Sequence, residues 1–106
     1  MSSMKAITEE AWAEVHQKAC DIANASMMDD DVLVESHRAA MFDVLDALER
    51  GFGRQPAIIA TRADYVDDID LKRKLFADAL VLAREFGDKT EEAEILDSLQ
   101  TLDSEL

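Results

Sequence analysis

His16 and Cys20 stand four residues apart, the spacing that puts two side chains on the same side of a helix. An imidazole and a thiolate at that spacing form half of a tetrahedral zinc site. Two ligands are too few for a site within one chain, and no second pair stands nearby in the sequence; His37 with an acidic residue would complete one only through the fold. Cys20 is therefore expected as a small buried residue. Glu94 and Asp97 form a second spaced pair, with Glu91 and Glu92 just before it and Asp64, Asp67, Asp68 and Asp70 clustered upstream. Paired carboxylates suit magnesium, which needs few protein ligands, so a small acidic-site metal hydrolase is one functional alternative. In a chain with 24 acidic residues such pairs arise freely, and these stand where helices begin, where acids cap the chain and favour the helix dipole. No glycine-rich phosphate loop, HExxH motif or nucleophile triad order is present in the sequence. The expectation is a non-enzymatic protein with no cofactor and no metal site.

The charge balance narrows the partners. With 11 basic residues against 24 acidic ones, the chain carries a net charge of -13. A surface of that sign repels phosphate backbones and anionic membranes, which argues against nucleic-acid and membrane binding. It attracts a basic protein partner, or occupies a site that normally holds nucleic acid; the plainer reading is that acidity serves solubility. One cysteine leaves no intrachain disulfide and suits a reducing compartment. The N-terminus, Met1 to Thr8, has no long apolar run, and no stretch reaches about 18 apolar residues, so a cytoplasmic location is expected.

The elements that must position these residues are helices. The chain has 3 Gly and 1 Pro, and its apolar residues recur every three or four positions. The spacing predicts helices from about Glu9 to Ser26, Val32 to Phe52, Pro56 to Val66, Asp67 to Phe86, and a fifth from Asp88 to about Leu102. Thr8 and Asp31 are expected caps for the first two. Gly53 and Gly87 are expected left-handed stops, and Pro56 fits a first helical turn. Asp67 with Asp70, and Asp88 with Glu91, read as capping pairs for the last two helices. The fifth helix's stripe reads Leu96, Leu99 and Leu102. The fold class is all-α: about five antiparallel helices in a single helical domain, residues 1–106, with no strand.

An internal match refines this. At an offset of 34, Phe42 pairs with Phe76, Leu48 with Leu82, Arg50 with Arg84, Phe52 with Phe86 and Gly53 with Gly87, while Met41 faces Leu75. That offset, and the stretch from Ala79 to Asp88 followed by Glu92, Ala93, Leu96 and Leu99, resemble the helix-turn-helix units of tetratricopeptide repeats. The resemblance covers about Val32 to Leu102, as helix pairs 32–66 and 67–102. It departs from the family in lacking the small glycine of a first repeat helix, in Leu99 where Tyr65 supplies the aromatic of the preceding unit, and in the placement of Pro56. A plain five-helix bundle is the alternative architecture.

The resemblance implies a protein-binding module or adaptor: stacked pairs leave a curved face that holds a segment of another protein. Arg62 and Tyr65 are expected on that face. Ile95 and Leu99, on a fifth helix with no sixth to cover it, are expected at a docking edge, where a partner or a second copy would form a homodimer. Met27, Met28 and Trp12 are further contact candidates, although Trp12, adjacent to the stripe of the first helix, reads more readily as core or edge packing. An acidic inhibitor or immunity-type protein blocking a basic site is the other non-enzymatic alternative.

Overall fold

Thr8 opens the first helix as the sequence predicts, its hydroxyl accepting the Ala11 amide at 3.1 Å. In a computed structural model, which describes residues 6–104, the chain forms α1 (Glu9–Met27), α2 (Asp31–Phe52), α3 (Pro56–Tyr65), α4 (Ile69–Phe86) and α5 (Lys89–Ser104). Among the described residues there is no strand. Each end has a local cause. Pro56 occupies the first turn of α3, where its missing N–H costs nothing. Asp88 caps α5, its carboxylate accepting the Glu91 amide at 3.1 Å. α4 stops at Gly87, which is left-handed with φ of 68°; the Asp88 amide then reaches back to the Ala83 carbonyl and the Gly87 amide to that of Arg84. This is a Schellman motif, and it gives the last carbonyls of the helix donors.

Two caps differ from expectation by one residue. Asp30, not Asp31, caps α2 by accepting the Leu33 amide at 3.0 Å, and Asp68, not Asp67, caps α4 by accepting the amides of Asp70 and Leu71. In a run of consecutive aspartates the composition is the same at each position; the path of the incoming turn decides which carboxylate points back at the free amides. Gly53 ends α2 with φ of 87° and ψ of 176°, extended rather than left-handed helical, a region open only to glycine.

The chain divides after Gly53 into two compact units, so the boundary falls inside the 32–66 stretch. In residues 6–53, α1 packs along α2 as a hairpin. Val15 and Ala25 from α1 and Met41, Leu45 and Leu48 from α2 are buried. At the surface Asp21 accepts the Gln17 side-chain amide at 3.0 Å along α1, and His37 Nδ1 stands 4.0 Å from it across the hairpin.

In residues 54–104, α4 packs on both α3 and α5. Ile59, Ala63, Phe76, Ala79, Ala83 and Ile95 form the core, with Leu75, Leu80, Leu82 and Leu99 packed against it. The three alanines let the helices approach closely while Phe76 fills the centre. Leu82 is half-buried, as are Phe52 and Phe86, whereas Leu48 is buried. Of the positions 34 apart, two pairs are buried in both units, Ala25 with Ile59 and Leu45 with Ala79.

The fifth helix corrects the sequence reading. Ile95 is 1% exposed, and Leu102 is buried with it, while Leu96 faces outward. Residues 95, 99 and 102, spaced four and three, hold a narrower arc than 96, 99 and 102, spaced three and three, which drift around the helix. α4 takes the narrower arc. Ile95 is thus a core residue enclosed by its own unit, not the exposed contact residue expected there.

Candidate protein-binding surface

The turn between α1 and α2 is built to be short. The Asp30 amide donates to the Ala25 carbonyl and the Asp29 amide to that of Ser26, both at 3.1 Å. This second Schellman motif uses Asp29 as its left-handed residue, φ 54°, the one described non-glycine residue with positive φ. A short polar side chain tolerates that conformation better than others do. The chain therefore reverses over Met28, Asp29 and Asp30, and the residues on either side of the reversal are brought to one tip.

That tip is apolar and uncovered. Met27 is 83% exposed, Met28 69% and Val32 83%, with Leu33 at the margin. Asp29, Asp30 and Asp31, all exposed, run between them. Asp30 is occupied as the helix cap and Asp31 lies in the first turn of α2, so these two acids have structural work. The apolar residues have no such account. Scattered single apolar residues are ordinary at a surface; three large ones at a single hairpin tip form a patch. Methionines adapt their shape to what they touch.

Elsewhere the four sequence candidates do not converge. Arg62 and Tyr65 are half-buried on α3. Leu99 is partly buried against the core, and Ile95 lies inside it, beyond the reach of a partner while the unit is folded. What α3, α4 and α5 do enclose is a shallow cleft of about 260 Å³ bordered by Asp64, Lys72, Asp97, Ser98 and Thr101. Lys72 Nζ donates to the Asp64 backbone carbonyl at 3.4 Å. Asp64 is exposed as a whole residue, but partial burial of its carboxyl raises its pKa, and Lys72 offsets part of that rise. Glu91 is raised as well, by burial first and then by the carboxylates of Glu94, Asp88 and Asp64. The two acidic stretches singled out in the sequence thus come near one another. Yet among the described residues no group of three or more His, Cys, Asp or Glu is arranged to hold a metal ion.

On α1, Cys20 is exposed rather than buried, a correction to the sequence reading, and it shares an open groove with His16 and the half-buried Trp12. Among the described residues no helix is long and apolar enough to cross a membrane. No protein-family model matches the chain, and no curated protein or solved structure shows significant similarity to it.

Proposed function

We propose that this chain is a non-enzymatic helical interaction module, and that the α1–α2 tip holds a basic amphipathic segment of a protein partner. The observation that carries the reading is the exposed set Met27, Met28 and Val32 beside three aspartates. An apolar centre with an acidic border complements a helix that is apolar on one side and lysine-rich on the other. The charge of -13 steers such a segment toward the protein at low salt. A tetratricopeptide-like stacking of helix pairs belongs to the same proposal and is supported by the 34-residue offset; the unit boundary after Gly53 weighs against residues 32–66 as one hairpin. A reducing, cytoplasmic setting fits the single cysteine.

Titration of the isotopically labelled protein with a lysine-rich amphipathic peptide, followed by amide NMR, tests this. Shifts are expected to concentrate between residues 26 and 34, to weaken as salt rises, and to vanish with Met27→Glu/Val32→Glu, which leaves the helices intact. No saturable binding, or shifts confined to another region, would overturn it.

The net charge favours a second reading, an acidic inhibitor that covers a basic site. The two separate cleanly. An inhibitor acting through charge loses affinity when Asp29 and Asp31 become Asn and is indifferent to Met27→Ser/Val32→Ser; the docking tip responds most to the second pair.

A further inference from the structure

We propose that His16 and Cys20 are one half of a zinc site that a second copy of this chain completes. Both side chains border the same open groove on α1, of about 540 Å³, together with Glu9, Trp12, Ala13 and Gln17. Both are exposed. At 100° per residue they lie on the side of the helix opposite Val15, Ile22 and Ala25, the side by which α1 packs on α2. Neither is therefore committed to the core, and four residues apart they project together from successive turns.

The donor set selects the metal class. A neutral imidazole and a thiolate suit zinc, which takes four ligands tetrahedrally. One copy offers two, and among the described residues no third ligand joins them. A two-fold axis beside α1 supplies the missing pair by symmetry, giving two histidines and two cysteines. Each cysteine Sγ–H gives its proton to the buffer as its sulfur–zinc bond forms, so one zinc ion binds as two protons leave, and the site is lost in acid. The zinc and two thiolates together add no net charge, so repulsion between two copies at -13 persists; added salt screens it and favours the dimer.

Sedimentation velocity of the full chain tests this, stripped of metal with a chelator, held in a non-thiol reductant, and measured with and without zinc chloride. A dimer that forms only with zinc, contains one zinc per two chains, and yields with cobalt the absorption of a tetrahedral thiolate centre is the expected result. His16→Ala and Cys20→Ser should each abolish the zinc-dependent dimer while circular dichroism stays unchanged, and His16→Cys should retain it. Zinc bound one per chain without dimerisation, a dimer indifferent to zinc, dimerisation only through a Cys20 disulfide when reductant is withdrawn, or no zinc bound at all would each overturn the proposal.

Discussion

The guanidinium of Arg73, in the second turn of α4, lies 3.1 Å from a carboxylate oxygen of Asp103, near the end of α5. At the other end of the same antiparallel pair Arg84 stands 3.6 Å from Glu92. Asp103 sits where the helix dipole disfavours an acid, and Arg73 counters that locally; Glu105, the next acid, lies outside the described residues. Asp103 is exposed and Arg73 partly so, and an ion pair in contact with water contributes little. A double-mutant cycle with Arg73→Ala and Asp103→Ala is expected to give a coupling of about 0.2–1 kcal/mol, falling in high salt. Zero coupling at low salt would show that the two side chains do not meet in solution.

Glu91 sets a pH dependence with a definite sign. Its carboxyl is raised by burial and by Glu94, Asp88 and Asp64, so the folded chain binds this proton more tightly than the unfolded chain does. The stability associated with the proton is fully present below the unfolded value and is lost as pH rises through the raised folded value. At neutral pH the ionised group is thus a cost. Glu91→Gln should shift the urea midpoint upward at pH 7, with the gain shrinking below the ordinary carboxylate range. A variant no more stable than the parent at pH 7 would contradict the burial of this carboxyl.

Asp29 holds the left-handed position of the α1–α2 turn, where glycine is the residue without a side-chain penalty. Asp29→Gly is expected to stabilise the hairpin by about 0.5–1 kcal/mol, less than the full left-handed penalty because glycine also loosens the unfolded chain. Thermal melting reads the change directly, and a lowered midpoint would mean that the aspartate carboxyl stabilises the turn.

Ile95 and Leu82 offer a comparison of depth. Ile95 is enclosed and Leu82 half-buried. Ile95→Ala should cost about 2–5 kcal/mol, and Leu82→Ala distinctly less, because part of its side chain already meets water. Equal losses in chemical denaturation would place both at the same depth.

Much of this architecture was legible in the residues themselves. Thr8, Pro56, Gly87 and Asp88 announced their helix boundaries because each acts on amides within four positions, and local rules decide such interactions. The burial of Ile95 over Leu96 was not legible, since both are apolar and adjacent; the choice belongs to α4, whose Phe76, Ala79 and Ala83 present the complementary surface. Cys20 escaped for the opposite reason. Its residue type favours interiors, but its position on α1 faces away from α2. The apolar tip lay partly in view as Met27 and Met28, and what the sequence lacked was the tight reversal after which Val32 is left exposed at the start of α2.

Within each unit, every helix packs against a neighbour in sequence: α1 on α2, α3 on α4, α4 on α5. Contacts of that kind close short loops, and loop closure is the slow, entropically costly part of folding. Each unit is therefore expected to reach its native arrangement in microseconds to milliseconds, the range of helical proteins with local contacts. During synthesis the contacts between α1 and α2 can form as soon as residue 53 has left the ribosome, because both helices precede it in the chain.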